Sequence, residues 1–381
     1  MRLSTDDVLT AIVHTNPTVR HLALNYFTCS FCNDPRVMPA FIQAVERYGW
    51  ETSAALLRST ATLLQTEETV RWLLDQCQAS DSDEGHLNDL ECVLVYSRGA
   101  VLRPYAAEIS GAATLSDDLK AAVADSIALS ELAAEELWRR LEDFCGPIPD
   151  DDDFLDERME SGALVATPDE EPSEALDDEE IDDEEIEAAL AELEPDHDHL
   201  TRLCRELAAH TAFVSERVRA ALKSAVKPDS TSWRLPEYAA RIAREARLLQ
   251  TASELVELLS APSEFLSEDA QDALAAIGSD SAIELLRAKW PTSDIAFRLT
   301  TLTIFEATHT DRSVEVALSL AEPEDDAFTK EALLGLALRS FDSRAVEVVR
   351  RYLSVGNHGE ELVTLRTTLA AVCEMMKVEP Y

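Results

Sequence analysis

The feature that most constrains the fold is a repeat in the last third of the chain. A tetrad of small, aliphatic, Glu and aliphatic residues occurs three times, at 282–285, 313–316 and 345–348, so successive copies are 31 and 32 residues apart. Asp294 and Arg298 likewise recur 32 residues later as Asp326 and Lys330. A unit of this length holds two short helices and two turns, which cannot close a core alone. The repeat therefore predicts stacked helix pairs.

Composition extends the helical prediction to the rest of the 381 residues. Hydrophobic residues make up 46%, whereas the chain has 10 glycines and 6% aromatics, and Ala and Leu recur throughout. Ala and Leu lose little on entering a helix, whereas strands prefer β-branched and aromatic residues. Apolar side chains at helical spacing also occur near the N-terminus, at Val37, Phe41, Val45 and Tyr48 and at Val70, Leu73, Leu74 and Cys77. We therefore predict an all-α protein.

An acidic block divides the chain. Between positions 149 and 198 there are 24 Asp and Glu residues against one base, Arg158, so 23 of the 41 excess negative charges lie there. Like charges at this density repel one another, and few apolar side chains are present to offset chain entropy. The sequence thus predicts an N-terminal helical lobe at 1–146, a disordered acidic linker at 147–180 and a C-terminal helical lobe at 181–381.

The segment that follows this linker has helical periodicity. Ile186, Leu190 and Leu193 lie at i, i+4 and i+7, which places them on one face of an acidic amphipathic helix. Two interpretations remain open for it. The helix packs as the first element of the C-terminal lobe, or it is a tethered recognition helix for a basic or apolar groove. In the second case these three apolar residues contact a partner.

Charge narrows the class of partner. The formal net charge of −41 repels phosphate backbones, so we expect no nucleic acid and instead another protein with a basic surface. No run approaches the ~20 apolar residues that span a bilayer, and no apolar leader follows the N-terminus, so we expect no membrane contact. Seven scattered cysteines fit a reducing compartment. We therefore expect a cytoplasmic protein.

The repeated pattern resembles HEAT-repeat proteins. Asp294 and Arg298 fit the acidic cap and basic residue of a first helix, and Thr310-Asp311 fits the following turn. The pattern runs over about 263–376, and Asn16-Pro17 opens a similar signature at 6–74. The resemblance implies an α-solenoid in two lobes, whose concave surface of second helices binds partners. Glu315 and Glu347, at second-helix positions facing away from the core, are then candidate partner-binding residues.

Candidate chemistry is sparse in the sequence. Cys29 and Cys32 form the one C-x-x-C pair, for which packed or surface thiols, a zinc site and a redox site are open interpretations. His197 and His199, in the sequence Asp-His-Asp-His, are expected in a solvated linker or a helix cap. The sequence contains no P-loop, G-x-G-x-x-G, G-x-S-x-G or H-E-x-x-H motif. We therefore predict no catalytic, cofactor-binding or metal-binding residues.

One cationic stretch stands out in the C-terminal lobe. It consists of Arg217, Arg219, Lys223, Lys227, Arg234, Arg241, Arg244 and Arg247. Binding of the acidic linker within the same chain, binding of an acidic partner, and a solvated face are its three interpretations.

These features predict a protein-interaction scaffold or adaptor that uses a HEAT-like surface and an acidic linker and has no catalysis of its own. Two alternatives remain open. HEAT-like stacks can also act as enzymes, such as bilin lyases or DNA glycosylases. A two-lobe switch regulated by proteolysis of the linker is the other alternative.

Overall fold

A computed structural model describes residues 2–50, 54–79, 84–146, 197–226, 234–355 and 362–379. These residues form an all-α protein, as the sequence predicts. Their β-type backbone pairing is limited to one isolated bridge between Arg2 and Asp342. None of the described helices has the length and apolar character needed to cross a membrane. The predicted acidic linker at 147–180 and the predicted helix with Ile186, Leu190 and Leu193 lie outside the described residues.

The described part of the N-terminal range contains ten α-helices, the 3₁₀ segment Arg58–Thr62 and a further 3₁₀ turn at Arg103–Tyr105. The α-helices are α1 (Thr5–Ala11), α2 (Pro17–Thr28), α3 (Val37–Tyr48), α4 (Ala54–Leu57), α5 (Glu67–Gln78), α6 (Glu84–Val95), α7 (Gly99–Leu102), α8 (Ala106–Gly111), α9 (Asp117–Leu129) and α10 (Ala134–Phe144).

The described part of the C-terminal range contains eleven further α-helices. They are α11 (His197–Ala208), α12 (Thr211–Ala225), α13 (Arg234–Ala246), α14 (Ala252–Leu258), α15 (Glu264–Ile277), α16 (Asp280–Lys289), α17 (Ile295–Ala307), α18 (Asp311–Ala321), α19 (Ala327–Arg339), α20 (Ser343–Val355) and α21 (Leu362–Met376).

The residues that recur in the sequence cap the helices. The Asp294 carboxylate accepts a hydrogen bond from the Phe297 N–H at 2.9 Å, and the Asp326 carboxylate accepts one from the Thr329 N–H at 2.8 Å. Asn16 caps α2 in the same way. Each cap satisfies an N–H that has no partner within its own helix, which stabilises the helix start. The prediction that these residues cap helix starts is confirmed.

The C-terminal helices form two layers. The first helices of the pairs, α11, α13, α15, α17, α19 and α21, lie side by side, and the second helices, α12, α14, α16, α18 and α20, form the other layer. The core lies between the layers, where Leu302 and Leu334, which match at the repeat offset, are both buried. Each pair thereby buries apolar area that it could not bury alone.

The first-helix layer continues into the N-terminal range at both ends. At one end α11 packs against α9, where the Asp125 carboxylate accepts hydrogen bonds from Arg202 Nε at 2.7 Å. At the other end α21 packs against α2, where the Asn16 side-chain amide donates to Glu374 at 2.6 Å. With the 3₁₀ segment and α6 between α2 and α9, the layer closes into a ring. The helices of the two predicted lobes are therefore in contact at both ends of this layer.

A buried seam joins the start of the chain to its C-terminal repeats. The rings of Tyr26 and His309 are stacked with their centroids 3.6 Å apart, and the Phe341 ring lies 5.6 Å from Tyr26. His309 Nε2 lies 2.7 Å from the Tyr26 carbonyl oxygen, and the Leu3 N–H donates to the Phe341 carbonyl at 3.0 Å. Burial lowers the pKa of His309 to about 4, so this imidazole is neutral at pH 7.

This seam predicts a loss of stability on acidification. The folded protein holds His309 neutral down to pH 4, whereas the unfolded chain binds a proton near pH 6.5. The free energy of unfolding that comes from keeping His309 neutral is therefore fully present above pH 6.5 and is lost as the pH falls from there toward 4. Chemical denaturation at pH 7.5 and pH 5 should show that the wild type loses about 2 kcal/mol more than His309→Phe.

The His309→Phe protein is the control because it retains every other titrating group. Asp269, whose pKa burial raises to about 6, acts in the opposite direction, but it does so equally in both proteins. Identical pH dependence of the two proteins would contradict a His309 that stays neutral in the folded protein.

Candidate interaction surface

The repeated tetrad places its Glu on the outer face of the second helices. Its small residues, Ala282, Ser313 and Ala345, are buried, and so are the aliphatic residues that follow them, Ile283, Val314 and Val346. The Glu of each copy points away from this core. The repeat thus encodes one buried edge and one charged edge for each second helix.

The charged edges are joined by ion pairs from one repeat to the next. The Glu284 carboxylate on α16 accepts a hydrogen bond from Arg312 on α18. Arg312 also pairs with Glu315 at 3.1 Å, and Glu315 accepts a hydrogen bond from Arg344 on α20 at 3.2 Å. Hydrogen bonds from Arg312 and Arg344 lower the pKa of Glu315. We call this set, Glu284, Arg312, Glu315 and Arg344, the ion-pair ladder.

The two predicted partner-binding residues, Glu315 and Glu347, lie at different positions relative to the ion-pair ladder. Glu315 lies in the middle of the ladder and bridges two helices. Glu347 is more exposed, and its pair with Arg350, at 2.8 Å, lies within its own helix. Both carboxylates are on the surface, and their role in binding a partner stays a prediction. The ladder adds a role in setting the register between repeats.

A second surface feature was missed by the sequence analysis. Phe265, Ile295, Phe328 and Val363 occupy the first turns of α15, α17, α19 and α21, and they are 65%, 57%, 49% and 73% exposed. These helices lie side by side, so the four side chains line one edge of the first-helix layer. We call this row the apolar rim. Its sequence signal is an apolar residue within two positions of the helix start.

Carboxylates flank the apolar rim. The N-cap residues Asp294 and Asp326 directly precede α17 and α19, and Glu264 precedes Phe265. Between α19 and α21, Phe328 stands beside a groove of about 260 Å³ that Ala332, Gly335 and Leu365 also line. The rim therefore combines apolar side chains with negative charge.

Two members of the cationic stretch form ion pairs with carboxylates on neighbouring helices. Arg219 pairs with Glu254 at 3.0 Å, and Arg241 pairs with Asp269 at 2.8 Å. Each of these pairs joins neighbouring helices of one layer, α12 to α14 and α13 to α15. The interpretation as a wholly solvated face is therefore wrong for Arg241, whose side chain is largely buried, whereas Arg219 stays partly exposed.

The remaining candidate residues of the sequence lie in packed environments. Burial raises the pKa of the Cys29 thiol to about 12 and also raises that of Cys32, which disfavours a reactive thiolate at neutral pH. Among the described residues, no group of three or more His, Cys, Asp or Glu side chains is placed to hold a metal ion. His197 and His199 lie in the first turn of α11, at a helix start, so the solvated-linker alternative is wrong for them. His199 Nδ1 lies 2.8 Å from the carboxylate of Asp125 on α9.

Comparisons with known proteins do not identify a family. No family model matches the chain, and no curated protein matches it. Among the solved structures that match is a crystal structure of an engineered protein, which is 12% identical over 98% of this chain and 99% of that chain, with a TM-score of 0.29. A likeness at this level carries no argument about fold or function.

The ion-pair ladder predicts different effects for two matched substitutions. Glu315→Gln should lower the urea midpoint at low salt because it removes contacts to two arginines on two helices. The difference should shrink at high salt, which screens exposed charges. Glu347→Gln is the control and should have the smaller effect at every salt concentration. An equal or larger effect of Glu347→Gln would contradict a register role for the ladder.

Proposed function

We propose that this protein is an interaction scaffold without catalysis of its own, which binds a basic, amphipathic segment of a protein partner along the apolar rim. The observation that carries the proposal is the exposure of large apolar side chains at matching positions of four neighbouring helices. Single exposed apolar residues are common on soluble proteins, but a contiguous row is typical of binding surfaces.

The dimensions of the apolar rim suit a helical ligand. Neighbouring helices pack 8–10 Å apart, so four of them give a rim about 30 Å long. A helix of about 20 residues has the same length. Burial of an exposed Phe contributes roughly 1.5–3 kcal/mol, so Phe265 and Phe328 are the expected anchors.

Charge favours a basic partner. The chain carries a net charge of −41, and Glu264, Asp294 and Asp326 flank the rim. Attraction between opposite charges raises the association rate and selects against acidic competitors. The apolar contacts would then contribute the part of the affinity that salt does not screen.

The repeat supports kinship with HEAT-like stacks. The 31- and 32-residue spacings, the Asp caps and the two helix layers are features that such stacks share. A cytoplasmic site of action belongs to the same proposal, as do partner contacts of Glu315 and Glu347.

The rim can be tested with a synthetic amphipathic peptide of Leu and Lys. We expect the double variant Phe265→Ser/Phe328→Ser to bind this peptide at least about 10-fold more weakly in fluorescence anisotropy, because two apolar anchors are lost. The weakening should persist at high salt. Leu249→Ser, which removes an exposed apolar side chain elsewhere, should bind like the wild type.

A peptide of Gln and Lys with the same charge separates apolar from electrostatic binding. It should bind more weakly than the Leu and Lys peptide and should not distinguish the rim variant from the wild type. If the rim variant binds the Leu and Lys peptide as tightly as the wild type does, the rim is not the binding surface.

The acidic segment has a separate test. Replacing 147–180 by a neutral Gly/Ser segment of equal length should weaken binding of the Leu and Lys peptide at low salt and reduce its salt dependence, because long-range attraction is lost. Affinities that agree at all salt concentrations would assign the segment a spacer role.

A further inference from the structure

Five arginines converge on a cleft where the N-terminal and C-terminal ranges meet. Arg58, Arg98, Arg205, Arg244 and Arg247 line a cavity of about 360 Å³. They come from the 3₁₀ segment, the turn after α6, α11 and the C-terminal end of α13, so ring closure assembles them from distant parts of the sequence. We call this cavity the arginine cleft. It is separate from the apolar rim.

The charge inside the arginine cleft is opposite to that of the protein. Two carboxylates, Glu245 and Asp272, also line it, so five guanidinium groups leave a formal excess of three positive charges. The chain as a whole carries −41. Guanidinium groups that share one cavity repel one another and lose hydration, which costs electrostatic free energy unless an anion compensates it.

Several guanidinium nitrogens in the cleft form no hydrogen bond with the described residues. Arg205 is 6% exposed, and its Nη1 donates to the Val95 carbonyl at 3.2 Å without an ion pair to a described residue. Arg244 pairs through two nitrogens with Glu245 and Asp272, while its buried Nε has no hydrogen-bond partner among the described residues. The Arg98 side chain forms no hydrogen bond or ion pair with the described residues. A buried donor without a partner is costly, so Arg244 Nε indicates a missing acceptor in the cleft.

The pKa of Glu245 reflects the positive potential of the cleft. Burial opposes ionisation of this carboxyl, but the positive charges of Arg244, Arg205 and Arg98 outweigh burial, and the pKa of Glu245 lies below its usual value. An anionic group placed beside the same three arginines would be stabilised in the same way.

One wall of the cleft is apolar and is held in place. Phe31, Ala61, Leu63 and Leu64 contribute to it, and the Phe31 ring lies 5.3 Å from the Arg244 guanidinium. Phe31 has a positive φ of 50°, and Arg247 donates from Nη2 to the Ser30 carbonyl at 3.1 Å. This contact fixes the end of α2 against the end of α13 and so fixes the shape of the wall.

We propose that the arginine cleft binds the phosphate group of a small organic phosphate, with the organic part against the apolar wall. A phosphate dianion offers three terminal oxygens, which suits several guanidinium groups better than the two oxygens of a carboxylate. Its charge of about −2 also offsets most of the excess of three. The cavity falls within the size range of ligand pockets and exceeds what a single phosphate fills.

The test compares phenyl phosphate with benzoate, which differ in the anionic group. Isothermal titration calorimetry on the full chain at low salt should show binding of phenyl phosphate and at least about 10-fold weaker binding of benzoate, because fewer guanidinium contacts are made. Inorganic phosphate should also bind more weakly than phenyl phosphate, since it lacks the apolar contact.

Arg98→Gln is the informative variant because the loss of Arg98 breaks no ion pair with the part of the chain that the structure describes. It should bind phenyl phosphate about 10-fold more weakly, and Arg58→Gln, at an exposed position of the cleft, should also weaken binding. Arg217→Gln is the control, since exposed Arg217 lies outside the cleft and contacts Phe213 of its own helix. Unfolding midpoints of all variants identify any loss of fold.

Three results would overturn the proposal. They are no heat of binding with phenyl phosphate, equal affinity for benzoate and phenyl phosphate, and unchanged affinity in both Arg98→Gln and Arg58→Gln. Equal binding of inorganic phosphate and phenyl phosphate would overturn the assignment of the organic group to the apolar wall.

Discussion

The packing of the chain's two ends against each other is the constraint on which the other features depend. A stack of helix pairs leaves an apolar face at each end, and isolated stacks need polar capping repeats to cover those faces. In this protein α2 covers α21, and α9 covers α11. The stacked rings of Tyr26 and His309 add a contact between α2 and the turn before α18, where Tyr26 is buried and His309 is half-buried. In the closed ring, the N-terminal helices thus cover the apolar faces at both ends of the stack, where an isolated stack would need capping repeats.

The packing of the ring also determines what several arginine side chains face. Arg219 and Arg241 face carboxylates of neighbouring helices, while Arg205, Arg244 and Arg247 face the arginine cleft. Buried ion pairs contribute little net stability, but a buried charge without its partner is strongly disfavoured, so such pairs select one alignment of neighbouring helices. The 33 basic residues of the chain are thus placed in part between helices, against a total of 74 acidic residues. The acidic excess remains for the surface and for the segment outside the described residues.

The sequence predicts local structure well because its signals are local. The tetrads and the caps at Asp294 and Asp326 lie within single repeats, and they identify the helix pairs and their starts. Exposure of the apolar rim could have been inferred from the apolar residue just after each helix start. Closure could not be predicted, because Tyr26 and His309 are 283 positions apart and neither belongs to the repeat pattern. The arginine cleft is assembled by ring closure, and it could therefore not be predicted from the sequence either.

The most direct test of closure is hydrogen–deuterium exchange on the full chain with and without the substitution Tyr26→Ala. If the two ends stabilise each other, the substitution should reduce protection in α2 and also in α19 to α21, which are remote in sequence and meet α2 through the seam. Helices α14 to α16, away from the seam, should keep their protection. Loss of protection confined to α1 to α3, with α19 to α21 unchanged, would contradict a ring closed by its ends.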